Sequence, residues 1–232
     1  MKAFLLAAGL GTRLRPLTDN TPKCMLPVAG KPMIDIWLDA LAAAEATEVL
    51  VNTHHLADVV QRHVAQRHGH PTVRCFFEPR LLGSAGTLAA NRDWVGGEEV
   101  FLVCYADNLT DFDLQLLLER HGGGRQAATV AVFHAPEPSQ CGIVELDEVG
   151  VVTSFVEKPE HPASDLANAG IYAFRPEVLA EIEGPPPLDI AFHLMPGLVG
   201  RAVAVEIEGY FRDIGTAEAY RLAQLEWAEK VA

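Results

Sequence analysis

Apolar positions in the first half of the chain gather into short unbroken runs, at residues 3–6, 48–52, 73–77, 100–105 and 128–133, each bounded by turn residues. They mostly lack the polar alternation of a half-exposed strand, so they read as strands buried on both faces. Between them the spacing becomes helical: Met33, Ile34, Trp37, Leu38 and Leu41, then Leu56, Val59, Val60, His63 and Val64, then Leu114, Leu117 and Leu118. Repeated strand–helix–strand units predict an α/β fold, with a Rossmann-like, mainly parallel mixed sheet sandwiched by helices and right-handed crossovers.

The second half changes character. "GIVELDEVGVVTSFVEKP" (142–159) holds two β-rich runs around an Asp-Glu-Val-Gly turn, which predicts a hairpin. A strand is expected at 168–174, a helix over 176–183, a break at Pro185-Pro186-Pro187 and a closing helix from Ala217 to Lys230. There is no internal repeat, so no left-handed β-helix domain is expected. The predicted plan is one domain over 1–232 whose second half carries a small β-rich insert over the sheet's carboxyl edge.

Composition narrows the class. At 232 residues and 49% hydrophobic, the chain can bury a sizeable core. No apolar run approaches the roughly 20 residues that cross a bilayer, and a net charge of -13 argues against nucleic-acid or anionic-membrane partners. Lys2 followed by apolar Ala3 to Ala8 loosely resembles the start of a secretory signal, but the run is shorter than a normal signal core. Cys24, Cys75, Cys104 and Cys141 lie far apart with no C-x-x-C pair, so neither zinc nor a disulfide framework is expected. Reduced thiols in a cytoplasm fit this usage.

Charge singles out one loop. In "LLAAGLGTRLRPLTDNTPKCMLP" (5–27) a strand breaks into Gly9 and Gly11; over residues 10–31 Arg13, Arg15, Lys23 and Lys31 face only Asp19, a net of +3 in an acidic chain. A glycine turn after the first strand exposes backbone N–H groups for phosphate, and guanidinium forks suit polyphosphate. Leu14 stands where a dinucleotide fingerprint would need its third glycine, and Leu14-Arg15-Pro16 replaces the G-K-[ST] of a P-loop. Neither motif is present, and a solvated basic loop is the bland alternative.

Two aspartates are further candidates. Asp107 ends the apolar strand of "VCYADN" (103–108), where an α/β enzyme places a metal ligand or an acid/base group and where turns also use aspartate. Asp213 sits in "GYFRDIGT" (209–216), between Gly209 and Gly215. Mg²⁺ accepts one or two carboxylates alongside waters and phosphate oxygens, so the two could form a pair; equally, Asp213 could hold the turn while Thr216 caps the last helix. None of the nine histidines is expected to bind metal.

Taken together, these stretches resemble the sugar-1-phosphate nucleotidyltransferases, or NDP-sugar pyrophosphorylases. "LAAGLGTRLRPLTDNTPKCMLPVAGKPM" (6–33) matches the signature G-x-G-T-R-L, then P-K, then G-K-P. "LGSAGTL" (82–88), "ADN" (106–108), "CGIVELDE" (141–148), "FVEKP" (155–159), "NAGIY" (168–172) and "FRDIGT" (211–216) follow in the family's order. The resemblance implies that a sugar 1-phosphate oxygen attacks the α-phosphorus of an NTP in line, giving NDP-sugar and pyrophosphate without a covalent protein intermediate. It implies a nucleotide half over 1–135 and a sugar-phosphate half over 136–232. By the same resemblance, Arg13 grips the leaving pyrophosphate, Lys23 bridges the α-phosphate and the incoming phosphate, and Ala8, Gly9, Gly11 and Thr12 line the phosphate cradle. Gly83 and Gly86 approach the nucleobase and Glu78 reads its edge. Asp107 and Asp213 hold Mg²⁺, and Asn108, Gly142, Glu157, Lys158, Asn168 and Gly170 contact the sugar phosphate.

The compact length and the "GYFRDIGT" ending look most like guanylyltransferases for mannose or heptose 1-phosphates, with uridylyl or thymidylyl transfer to a hexose or amino-sugar phosphate as the alternative. Ala106 and Cys141 replace the glycine and tyrosine that many relatives carry, which bears on the acceptor. A non-catalytic nucleotide-sugar sensor is the competing class; loss of Lys23, Asp107 or Asp213 would favour it, and all three are present. The implied partners are the two substrates, with neither nucleic acid nor membrane, and a homodimer is the assembly allowed.

Overall fold

The computed structural model describes residues 1–231. The strands are β1 (Lys2–Leu6), β2 (Pro27–Val28), β3 (Lys31–Pro32), β4 (Glu48–Thr53), β5 (Thr72–Phe77), β6 (Phe101–Tyr105), β7 (Asn108–Thr110), β8 (Ala128–His134), β9 (Gly142–Leu146), β10 (Val152–Glu157), β11 (Leu166–Phe174), β12 (Ala202–Glu206) and β13 (Phe211–Asp213). The helices are α1 (Met33–Ala43), α2 (Ala57–Ala65), α3 (Ser84–Ala90), α4 (Arg92–Val95), α5 (Leu114–Gly122), α6 (Ile190–His193), α7 (Met195–Leu198) and α8 (Ala217–Val231). Every apolar run of the first half is a strand, and every stretch with helical spacing contains a helix. The segment after β11 differs: Pro176–Glu181 is a 3₁₀ turn.

Pairing is mixed, with β4–β5 and β8–β12 parallel and β8–β11, β9–β11 and β9–β10 antiparallel. The chain forms two compact units, each drawn from several segments, so the division does not follow a cut at 135/136. The first comprises 1–2, 81–103 and 113–208. Its strands run in the order β10-β9-β11-β6, with β8 pairing β11 and β12. The core includes Phe101, Val130, Ile171, Tyr172 and Phe174, all fully buried, and α5 packs on β8, β11 and β12. The expected hairpin is β9–β10, and its turn is held by Asp147 Oδ1, which accepts from the N–H groups of Val149 (3.0 Å) and Val151 (2.8 Å).

The second unit comprises 3–80, 104–112 and the chain from Gly209 on. Here β1 lies beside the end of β6 and is followed by β4 and β5. The apolar stripe of α1 (Met33, Ile34, Trp37, Leu38 and Leu41) is buried, and Trp37 Nε1 donates to the Asn108 carbonyl at 2.8 Å. The stretch around Asp213 is a strand rather than a bare turn: β13 pairs antiparallel with β7, setting Asp213 opposite Asn108. Among the described residues no helix is long and apolar enough to cross a membrane.

Candidate active site

In the second unit the glycine loop leaves β1 at Leu6, and its root is fixed where Ala7 N–H donates to Asn52 Oδ1 at 2.6 Å. Gly11 has φ +64°, and a Cβ there would stand 2.8 Å from Thr18 Cγ2. Thr18 is fully buried and donates through Oγ1 to the Gly11 carbonyl at 2.7 Å, so the loop folds back over it. Gly9 differs, because a Cβ there would meet nothing within 4 Å. The N–H groups of Gly9, Leu10, Gly11 and Thr12 make no hydrogen bond among the described residues. Adjacent unpaired donors beside open space form an anion cradle.

The four cations of this loop have separate uses. Arg15 Nε lies 3.4 Å from Asp19 on the exposed side, and Lys31 pairs with Asp39. Lys23, only 10% exposed, instead donates Nζ to Asp107 Oδ2 at 2.6 Å and stands 3.8 Å from Asp213 Oδ1. The 3₁₀ turn Lys23–Met25 aims it there, and its neighbour Cys24 is buried. Burial pushes the Cys24 thiol up to about 12, which removes it as a reactive group.

Asp107 and Asp213 meet because of the β7–β13 ribbon. Ile214 N–H donates to the Asp107 carbonyl at 2.9 Å, and Asp213 Oδ1 accepts from Gly215 N–H at 2.5 Å. A Cβ on Gly215 would lie 2.7 Å from Asp213 Oδ1, 2.8 Å from Arg13 Nη2 and 3.2 Å from Lys23 Nζ. Glycine at 215 is therefore what lets two cations and a carboxylate crowd together. Desolvation, then the charge of Asp107, pushes the Asp213 carboxyl above its usual range against the pull of Lys23, the Gly215 N–H and Arg13. Behind the ribbon, Glu226 on α8 accepts from Arg212 Nε and Nη2, both at 2.8 Å, and from Tyr210 OH at 2.8 Å. Thr216 caps α8, accepting from Ala219 N–H at 3.2 Å.

This donor set fits a divalent ion. Two carboxylates already share one cationic atom, Lys23 Nζ, and a cleft of about 30 Å³ bounded by Gly9, Lys23 and Asp107 has room for one water-sized group. Among the described residues no three His, Cys, Asp or Glu side chains group as a metal cage, so the remaining ligands of an ion here would be waters and phosphate oxygens.

Glu78 follows β5, is 1% exposed, and accepts through Oε1 from Asn52 Nδ2 at 2.9 Å. Asn52, near the end of β4, thereby links the Ala7 amide to Glu78; as a polar residue beside an apolar run it gave no separate signal in the sequence.

In the first unit Gly83 caps the start of α3 and Gly86 lies in its first turn. A Cβ on Gly83, at φ +78°, would collide with the Leu188 carbonyl oxygen and lie 2.8 Å from Leu188 N, while one on Gly86 would lie 3.6 Å from that nitrogen. The chain's own backbone at Leu188 thus demands glycine at 83, whatever else approaches it. Along the hairpin, Gly142 pairs with Glu157, and a Cβ there would stand 2.6 Å from Glu157 Oε2. Burial raises the Glu157 carboxyl; adjacent Lys158, its Nζ 3.9 Å away, opposes this and Asp189 adds to it. On β11, Asn168 Oδ1 accepts from Gly170 N–H at 3.0 Å and Asn168 Nδ2 donates to Tyr172 OH at 2.7 Å. Asn168 follows Ala167, which pairs with Ile143, so four of the five expected sugar contacts of this unit lie on the adjoining strands β9, β10 and β11, and Lys158 follows the end of β10. Asn108 belongs to the second unit, buried beside Asp107.

A family model described as "Nucleotidyl transferase" matches residues 2–230. The chain belongs to the nucleotidyl transferase family. It is 34% identical to the mannose-1-phosphate guanylyltransferase catalytic subunit beta of Drosophila melanogaster, covering 92% of this chain and 59% of that one. It is 33% identical to mannose-1-phosphate guanyltransferase beta-A of Xenopus laevis, covering 93% and 61%. The chain thus spans about six-tenths of the length of these curated relatives. A solved Bacillus anthracis protein, named provisionally as a glucose-1-phosphate thymidylyltransferase, superposes with a TM-score of 0.84 at 25% identity over 99% of this chain and 96% of its own. UDP-glucose pyrophosphorylase of Acinetobacter baumannii shares the fold, with a TM-score of 0.86 at 23% identity over 99% and 93%.

Proposed function

We propose that this nucleotidyl transferase family member moves a nucleotidyl group from an NTP to a sugar 1-phosphate, releasing pyrophosphate. The observation that carries the reading is Lys23 Nζ set on Asp107 and beside Asp213, with Arg13 Nη2 close to the same Gly215. Two polyanions must approach each other, and catalysis is then positioning and charge stabilisation rather than covalent chemistry. The free N–H groups of Gly9 to Thr12 receive the triphosphate, Arg13 holds the leaving pyrophosphate, and Lys23 turns to the α-phosphate, where negative charge accumulates in the transition state. Mg²⁺, which Asp107 and Asp213 would hold, supplies Lewis-acid polarisation and neutralises phosphate charge. Gly142, Glu157, Lys158, Asn168 and Gly170 receive the sugar phosphate.

GTP with a mannose- or heptose-type 1-phosphate is the favoured pair, supported by the names of the curated relatives. Uridylyl or thymidylyl transfer is the second reading, supported by the Bacillus anthracis neighbour. Pyrophosphate release measured across ATP, GTP, CTP, UTP and dTTP and a panel of sugar 1-phosphates with Mg²⁺ tests both. Strong turnover with GTP and mannose or heptose 1-phosphate is expected; turnover confined to UTP or dTTP installs the alternative, and none with any pair removes the enzymatic reading.

A further inference from the structure

One concavity of the first unit lies apart from every residue assigned above. It holds about 560 Å³, and neither the glycine loop nor the hairpin residues Gly142 and Glu157 line it. Its walls are the approach to β8 (Arg125–Ala127), the residues after β11 (Arg175, Glu177, Val178), the stretch before and into β12 (Gly200–Val203), and Val151. In a chain with 31 acids and 18 Lys and Arg, its charged lining is three arginines and one glutamate.

The arginines are not equivalent. Arg201 is neutralised by a two-pronged pair with Glu181, at 2.7 and 2.9 Å. Arg175 is half-buried and donates only to carbonyls, Nε to Gln126 O at 2.9 Å and Nη2 to Gly124 O at 3.2 Å. Those bonds fix the guanidinium plane and leave its charge uncompensated. The charge is felt inside the fold: burial, then Arg175, holds neighbouring His121 neutral down to about pH 4. Arg125 is exposed and makes no ion pair among the described residues. The apolar part of the lining that keeps accessible surface is Ala127, Val151 and Val203, while Val178 and Ala202 lie buried beneath it.

From this geometry we infer that the cavity is a second binding site, for a small phosphorylated metabolite whose phosphate faces Arg125 and Arg175 and whose carbon body lies on Ala127, Val151 and Val203. The volume falls within the roughly 300–1,000 Å³ of ligand pockets, too large for a bare phosphate alone. A pre-aimed guanidinium with a free neighbour is the arrangement that grips phosphate oxygens by several N–H bonds. The inference goes beyond the transfer reaction and does not rest on it.

Phenyl phosphate, an anion with an apolar body, is the probe. Titrated into the full chain and followed by ¹H–¹⁵N NMR, it should cause saturable shifts at Arg125, Ala127, Arg175 and Ala202. Benzyl alcohol, uncharged and similar in shape, should bind at least about tenfold more weakly, and Arg125→Ala should weaken phenyl phosphate by a like factor. Arg125 is exposed, so this variant should keep the wild-type spectrum elsewhere. Shifts confined to residues 9–23, equal binding of the alcohol, or an unaltered constant in Arg125→Ala would each overturn the site.

Discussion

Lys23 Nζ donates to Asp107 Oδ2 at 2.6 Å, so the loop's best-buried cation neutralises the carboxylate expected to take the metal. Ammonium and divalent ion compete for the same oxygen, and the arrival of one frees the other. Lys23→Ala should therefore bind Mn²⁺ more tightly than wild type in the absence of nucleotide, by paramagnetic relaxation titration. The same variant should lose about 10²–10³-fold in kcat for pyrophosphate release, a loss typical of one transition-state donor. A change in KM alone would remove Lys23 from the transition state.

Asp107→Asn keeps the shape of the turn but halves the charge of the carboxylate pair. Pyrophosphate release should be nearly abolished with the fold intact by circular dichroism. Near-normal turnover at saturating Mg²⁺ would take Asp107 out of the metal site.

The Asp213 carboxyl is pushed up in the folded protein, so its ionisation opposes folding. Its contribution to stability is full below the ordinary carboxylate pKa and declines as pH rises through the raised native value. Without metal at pH 7, Asp213→Asn should melt slightly higher than wild type, and the gap should close below about pH 3, where both side chains are neutral. With 57% of the side chain exposed, screening keeps the gap below about 1 kcal/mol. A variant that melts lower than wild type at pH 7 would contradict this sign. Transfer activity should fall in the same variant, so stability and function move in opposite directions.

Gly215→Ala places a methyl group against Asp213 Oδ1, Arg13 Nη2 and Lys23 Nζ, two of them ends of flexible side chains. The fold should survive with a modest shift in urea midpoint, while kcat/KM drops by at least about tenfold because the cations are pushed apart. Full activity would show that their convergence at Gly215 is incidental.

Gly83→Ala meets backbone that cannot step aside, at a positive φ. Equilibrium urea unfolding should report a loss of about 2–4 kcal/mol. A loss well under 1 kcal/mol would mean that Leu188 moves and that glycine at 83 serves a ligand instead.

Much of this was legible before any coordinates. Strand runs such as 100–105 and the stripe from Met33 to Leu41 carry their period in the sequence, because burial on both faces or on one stripe dictates it. The pairing of Asp107 with Asp213 carried no such signal: a three-residue strand has too few positions to show a period, and it forms only because β7 is there to pair with it. The cationic loop was visible as net charge, and Arg15 with Asp19 four residues on could be read as an outer salt bridge, but the pairing of Lys31 with Asp39 and of Lys23 with Asp107 was not disclosed by spacing. The surroundings of Glu78 were hidden for a related reason: a glutamate closing a strand reads as exposed, and only the fold brings Asn52 beside its carboxylate.

The β7–β13 ribbon also sets an order of events during synthesis. Asp213 is made more than a hundred residues after Asp107, so a nascent chain presents its glycine loop, Lys23 and Asp107 long before the second carboxylate exists. A chain stalled before Phe211 carries the phosphate cradle without the carboxylate pair, and β13 completes it when it emerges.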